Sequence, residues 1–534
     1  MVTRNLLHAP FGDVFNKRLL FTVVVLALSQ FNFGFETSAF SNIQAMDHFI
    51  LDFGTEGPDG VPALSSTWLS LFNGFSVVGF ALGVILGNRL TEKYGRRFTV
   101  RFMCCWTIVC TTIIITSRSR DQMMAGRALN YLYIGMELAC IPLYQAEITP
   151  LEVRGAMVAT YNTSLVAGSL IMSLVCYGTS NISSRTSYIL PIGLFYVVPT
   201  IVLACTFSMQ ESPRWLTMRG KHDEALESLR QLRQGKFTEE QIQDEMSAMQ
   251  TMCASQDRKV VEGNVIRRWA HIWSRKHIKR TGIVLGTNFF LHGTGNAFAT
   301  TYGTIFFKSI GTVNPFLLSV INSLGVILVS TATLILVDIR GRRPLLLCGS
   351  FIQASALLIM GGLGMIEKTT TSVKSGIIAT MMLFAAGYTA AWGQLSHTIT
   401  AEMPSAEVRD MTYATGSLLA ISVSAAMTFG LPYLLNEPYA GLGPKVGFIF
   451  GSLAGLSFIF AYFCVPECMG KSLEEIDLLF NSKVPIRKFG QTKMNVGNLV
   501  DESGKDVEIG FPSNSKAASE TVVEEGQSQE SDRA

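Results

Sequence analysis

The chain has 534 residues, 48% hydrophobic and only 16% charged, with a net charge of +3 and a mean hydropathy of +0.33. A soluble domain carries about 25% charged residues, so the polar surface that a water-soluble fold needs is missing. The small positive charge is not gathered into a basic stripe, which excludes nucleic acid as a partner and leaves a lipid bilayer as the surroundings.

A membrane helix needs about 20 mostly apolar residues. By that measure the chain offers twelve spans, at 19–40, 66–88, 99–117, 121–143, 156–177 and 188–208, then 281–307, 315–337, 344–364, 374–400, 411–435 and 444–465. The first follows a short basic lead (Arg4, Lys17, Arg18) and is followed by others of membrane length, so it reads as a span and not as a cleaved signal. Lys and Arg cluster at 89–101, at 214–236 with 258–280, and at 340–343. The positive-inside rule places these connections, and with them both termini, in the cytoplasm. The acidic, turn-rich stretch 47–63 then falls outside, as does Asn181 in Asn181-Ile182-Ser183, a glycosylation acceptor sequence. Between the sixth and seventh spans, His222 to Leu232 and Glu239 to Met249 read as short amphipathic helices. Beyond Val500 the chain is acidic and poor in apolar residues, the composition of a disordered tail. Cysteines such as Cys104, Cys105, Cys140 and Cys205 lie in apolar runs without metal spacing, so they read as small buried hydrophobes, with no disulfide and no metal site.

The chain repeats itself. Glu92-Lys93-Tyr94-Gly95-Arg96-Arg97 returns as Asp338-Ile339-Arg340-Gly341-Arg342-Arg343. Gly95 and Gly341 lie 246 residues apart, Glu147 and Glu402 lie 255 apart, and Glu211 and Glu467 lie 256 apart. Three echoes in one order at nearly one offset mark two homologous halves. At the inner ends of the spans Glu92 or Asp338 can accept from Arg96, Arg97, Arg342 or Arg343. Glu147 with Arg154, and Glu402 with Arg409, can join this network and lock the cytoplasmic side.

Charges inside spans cost several kcal/mol unless paired or hydrated. Glu36 on the first span and Arg127 on the fourth are read as a pair across a central cavity that protonation of Glu36 would break; Glu137 lies deeper on the fourth span. Polar residues suited to line the cavity are Asn162 and Ser169 on the fifth span, His292, Thr294, Asn296 and Tyr302 on the seventh, and Trp392 and Gln394 on the tenth. Such amides and hydroxyls suit the edges of a neutral polyol, with a ring face on the indole.

The chain resembles a sugar porter of the major facilitator superfamily, in particular the fungal hexose and disaccharide transporters. The resemblance covers about residues 15–480 and rests on Glu92–Arg97, Gly126-Arg127, Pro142–Gly155, Glu211–Leu216, Asp338–Leu347, Ala401–Arg409 and Pro466–Asp477. It implies an all-α membrane protein of the major facilitator fold. Twelve transmembrane helices form two six-helix bundles (19–210 and 281–466), joined by a cytoplasmic helical linker (211–280) and flanked by segments 1–18 and 467–534. It also implies alternating access around a midplane site, commonly with protons as coupling ion and no other cofactor. The family's helix-1 acid falls on Glu36 and its helix-4 arginine on Arg127. The family's paired glutamines of helix 7 fall on Leu291 and His292 (Phe290 and Leu291 if the register shifts by one), its helix-5 glutamine on Asn162 and its helix-11 polar position on Ala420. The expected protein is a monomeric plasma-membrane carrier that takes a sugar or sugar-like polyol into the cell. The alternatives are a carrier or exporter of another metabolite, such as a quinate-like acid, and a non-transporting nutrient sensor. No nucleotide loop, metal cluster or Ser/His/Asp set points to an enzyme.

Overall fold

The computed structural model describes residues 15–56, 62–150, 154–260, 269–366, 370–405, 408–471, 473–482, 484–495 and 498–500. The acidic tail beyond residue 500 lies outside the described residues, as do the side chains of Arg154 and Asp338.

All twelve expected spans are helical, and five of them start at a side-chain cap. Span 1 is Lys17–Ile43, with the Asn16 side chain accepting from the Leu19 N–H at 2.7 Å. Ser65, Ser119, Asn314 and Thr370 cap spans 2, 4, 8 and 10 in the same way. Span 2 is Ser66–Tyr94, span 3 Arg96–Ile115, span 4 Arg120–Ile148 and span 5 Arg154–Thr179. Span 6 is split into Thr186–Gly193 and Val197–Cys205 by a tight turn that starts three residues after Pro191. Span 7 is broken into Ile278–Gly293, Asn296–Thr300 and Gly303–Ile310, with Gly295 at φ +96° in the first break. Spans 8, 9, 11 and 12 are Pro315–Arg340, Arg342–Leu363, Arg409–Leu435 and Val446–Cys464. Span 10 runs from Thr371 to Glu402 through a π-helical turn at Thr389–Gly393. Among the described residues nine helices meet both the length and the hydropathy that a membrane crossing requires. Span 4, with Arg127 and Glu137, span 5 and the broken span 7 do not.

The linker helices Pro213–Met218, His222–Arg233 and Glu239–Val260 dock on the first half. Arg233 donates to the Ile148 carbonyl at 2.9 Å, and the Asn16 amide donates to the Gln231 carbonyl at 3.0 Å. That contact defines the linker face of the protein; span 1 runs from it to the opposite face. The second of the amphipathic helices continues past Met249 to Val260. Residues 47–63, expected to be a turn-rich loop, contain the helix Asp47–Phe53, because Phe49 and Phe53 alternate inward onto Phe72 and Tyr188. Asn181 is exposed in the turn between spans 5 and 6 on the opposite face. Cys104 and Cys140 are buried as expected, but Cys105 is exposed on the outside of span 3 and Cys205 is only half-buried.

Within each half the helices approach to backbone contact. A Cβ on Gly34 of span 1 would stand 1.7 Å from the Leu165 carbonyl oxygen of span 5, and one on Gly168 would stand 2.0 Å from the Phe31 carbonyl oxygen. Only glycine allows this crossing, which places Glu36 two residues further along span 1. Gly34→Leu is therefore expected to abolish the monodisperse peak in size-exclusion chromatography, while Gly178→Ala, which meets nothing within 4 Å, leaves the thermal midpoint unchanged.

Candidate functional site

The seam between the halves carries hydrogen bonds at mid-membrane and on the opposite face. Midway, the Asn162 amide of span 5 donates to Ser330 Oγ at 3.0 Å and to the Gln394 side-chain oxygen. Nearer the opposite face Ser173 meets Ser323 at 3.1 Å. At that face Tyr302 donates to the Thr428 carbonyl at 2.8 Å, Thr304 to Asn42 at 3.0 Å, and Ser70 to the Phe429 carbonyl at 2.7 Å. Lys308 closes the edge by donating to Asp47 at 2.5 Å and to the Ala45 carbonyl at 2.7 Å. The bonds of Thr304, Ser70 and Lys308 hold the two halves together at the opposite face.

Several residues expected to line the passage have other tasks. Ser169 donates to the Gly34 carbonyl at 3.0 Å and ties span 5 to span 1. Thr294 is buried and returns its hydroxyl to the Phe290 carbonyl of its own helix at 2.9 Å. Tyr302 donates to Thr428 as just described. Trp392 is fully buried inside the second half, with its N–H on Ser457 at 3.1 Å and its ring against Phe290 and Phe460, so it presents no ring face to the passage. Bonds within a helix or between neighbouring helices satisfy these groups. Asn162, Gln394, His292 and Asn296 remain at the seam or half-buried.

Glu36 is buried, with one carboxylate oxygen accepting from Asn32 at 2.7 Å and Thr107 at 3.4 Å and the other from Asn130 at 2.7 Å. Arg127 does not pair with it. Its guanidinium lies 3.1 Å from the centroid of the Phe40 ring and donates to Asn73 at 3.3 Å. Both line a small cavity, with room for little more than a water, together with Phe40, Ile43, Ile114, Tyr131, Ile192 and Phe195, residues of the first half alone. The expected ion pair across a central cavity is thus replaced by two neutral-solvated charges beside a cavity within one bundle. Glu137 is fully buried; Tyr161 donates to one of its oxygens at 3.3 Å, and the other has no partner among the described residues. Asn32, Thr107 and Asn130 were legible only as spacing: Asn32 precedes Glu36 by four residues and Asn130 follows Arg127 by three, the intervals that share a helix face.

The repeated basic motifs are organised by acids other than those expected. Glu211 accepts from the backbone N–H groups of Arg96 at 2.9 Å and Arg97 at 3.1 Å, at the buried start of span 3. Glu467 does the same for Arg342 at 3.2 Å and Arg343 at 2.8 Å, at the start of span 9. A carboxylate on a helix N-terminus meets both unpaired donors and the positive end of the dipole. Gly95 and Gly341, at φ +96° and +89°, make the approach possible, since a Cβ there would stand 2.7 and 2.5 Å from a carboxylate oxygen. Burial pushes the Glu211 carboxyl above the usual range, and the backbone donors of Ser212, Arg96 and Arg97 oppose that rise. Glu147 binds the Arg96 guanidinium through two bonds of 2.7 and 2.8 Å and accepts from Ser212 at 2.6 Å. Its counterpart Glu402 takes a single bond of 3.0 Å from Arg342. Cys468 stands where the first half has Ser212, so the second network lacks that hydroxyl donor. Glu92 contributes only its backbone carbonyl, to Trp215 at 2.9 Å, and its side chain is exposed. Arg409 does not pair with Glu402; its Nε has no partner among the described residues.

A family model described as sugar (and other) transporter matches residues 22–480. The chain belongs to that family. It is 28% identical over 486 residues to the high glucose sensor RGT2 of Saccharomyces cerevisiae, covering 90% of this chain and 62% of that protein. The chain thus spans less than two thirds of that relative's length. Identity is also 28% over 502 residues to the MFS transporter fmqE of Aspergillus fumigatus, covering 90% and 91% of the two chains. The inward-open structure of the xylose transporter XylE from Escherichia coli superposes with a TM-score of 0.69 at 17% identity, over 86% of this chain and 99% of that one, and shows the same fold.

Because a bare buried N–H costs about 1–3 kcal/mol, Glu211→Ala is expected to lower the thermal midpoint clearly and Glu211→Gln less, whereas Glu92→Ala changes nothing. Thermal unfolding in detergent reads all three.

Proposed function

We propose that this protein is a secondary carrier that moves a sugar-like, polyhydroxylated small molecule across the membrane by exposing a site between its halves to each side in turn. The observation that supports this reading most is the seam: Asn162, Ser330 and Gln394 meet at mid-membrane between two homologous bundles, and the bonds of Thr304, Ser70 and Lys308 lie to one side of them. Amides and a hydroxyl at such a point fit substrate hydroxyls, and opening the linker face requires breaking none of the bonds that hold the other. The density of Lys and Arg supports a cytoplasmic linker face; a plasma-membrane location and a monomeric working unit belong to the same reading. The neutral donors around Glu36 let it exchange a proton without losing a salt bridge, which suits a proton-coupled carrier. XylE, which shares the fold, is named a proton:xylose symporter. The gating role falls to Arg96, Arg97, Glu147, Arg342, Arg343 and Glu402, held by Glu211 and Glu467.

The similarity to a protein named a glucose sensor favours a second reading, in which the fold binds a sugar and does not turn over. Uptake separates the two. In yeast cells lacking their own hexose carriers, labelled sugar or polyol is expected to accumulate at pH 5, less at pH 7.5, and not with an uncoupler. Glu36→Gln should abolish accumulation and keep exchange. A protein at the cell surface that binds a sugar yet transports none would leave the sensor reading standing.

A further inference from the structure

The spans of the second half contain no Asp, Glu, Lys or Arg between residues 281 and 307, 315 and 337, 344 and 364, 375 and 401, or 411 and 436. Two of the chain's seven histidines lie there, His292 on span 7 and His397 on span 10, 105 residues apart in sequence. The Asn288 amide donates to Thr400 at 3.0 Å; His292 lies one turn after Asn288 and His397 one turn before Thr400, so the two histidines stand on adjoining turns of the packed helices. The Tyr388 hydroxyl, donating to the Leu291 carbonyl at 3.0 Å, holds span 10 against span 7 beside them. His397 follows Gln394 by three residues and so shares its helix face, the face from which Gln394 reaches across to Asn162. On that face His397 is exposed and His292 half-buried, and neither ring nitrogen has a hydrogen-bond partner among the described residues. The Asn296 side-chain oxygen one turn from His292 is likewise unpartnered and buried.

Unpartnered polar side chains in a membrane interior are expensive and mark a ligand path. Imidazole is the side chain whose charge changes near neutral pH, and as imidazolium both its nitrogens donate. The acids of the membrane interior could neutralise it, but both lie in the first half and are engaged, Glu36 by Asn32, Asn130 and Thr107, and Glu137 by Tyr161. Glu402 at the end of span 10 holds Arg342. A ligand carboxylate between the two imidazoles would supply the counter-charge that no side chain of the second half's spans offers. From this we infer that His292 and His397 form a carboxylate subsite, so that the substrate is a polyhydroxylated acid, with its hydroxyls on Asn162 and Gln394 and its carboxylate between the two rings. Charge-assisted bonds of this kind are about twice as strong as neutral ones. The inference rests on the carrier reading above and narrows its substrate class.

The test is equilibrium binding to the purified full chain in nanodiscs, with quinate, galacturonate and gluconate each measured against a neutral counterpart: inositol, galactose and glucose. At least one acid is expected to bind ten-fold tighter than its counterpart at pH 6. The double variant His292→Gln/His397→Gln should lose ten-fold or more for the acid and change the neutral ligand less than three-fold. Neutral ligands binding as tightly as the acids in the wild type, a comparison that needs no variant, would overturn the carboxylate subsite and leave the carrier reading intact; so would a double variant that weakens both classes alike. Binding of none of the six by a monodisperse protein would overturn both.

Discussion

The molecule depends on a contrast in how its helices touch. Inside each half, glycines bring backbones into direct contact: Gly34 on Leu165 and Gly79 on Ala128 in the first, Gly447 on Leu357 and Gly349 on Gly387 in the second. In a bilayer, where apolar surface gains nothing by leaving lipid, such close packing is what makes a bundle rigid. Between the halves, side-chain hydrogen bonds stand beside apolar packing at one face, of Leu69 on the second half and Phe316 on the first. Bonds of that kind are modest in net energy and exchange readily for water or a ligand. Two stiff bodies joined by an exchangeable seam give a structure that can rock without unfolding.

The buried carboxylates sort by the same logic. Glu211 and Glu467 each fasten the start of a helix through backbone donors, so they belong to the rigid bodies. Glu147 carries both Arg96 and the Ser212 hydroxyl, while Glu402 carries Arg342 alone. The ion pair in the first half is also far less exposed, at 5% and 4% for its two side chains against 19% and 22% in the second. A buried pair stripped of one partner is strongly unfavourable, so the first half holds its linker-face connection more firmly than the second. Glu36 is of another kind, solvated by three neutral groups and adjoining a cavity.

The twelve spans were legible because membrane length and hydropathy leave little freedom, and the two halves because Gly-Arg-Arg and its acids recur at one offset. The fourth, fifth and seventh spans were legible as mostly apolar runs, although as helices they do not meet length and hydropathy together. What could not be read was partner choice. Glu92 is three residues from Gly95 in sequence, yet the fold brings Glu211, 115 residues from Arg96, to the helix start. Ser169, Thr294 and Trp392 were read as cavity-facing because polarity alone does not say whether a hydroxyl or an indole bonds a ligand or a neighbouring helix. The helix at Asp47–Phe53 was masked by the acidic, turn-rich residues around it, and only the inward ring stack of Phe49 and Phe53 accounts for it.

The central claim is that the halves move as bodies, closing one face while opening the other. Paired spin labels read this directly by double electron–electron resonance in nanodiscs: one pair at exposed positions 89 and 340 on the linker face, another at 184 and 439 on the opposite face. Between pH 8 and pH 5 the account predicts two distances at each face, with populations that shift in opposite senses at the two faces. A single distance at each face, unchanged with pH, would contradict it.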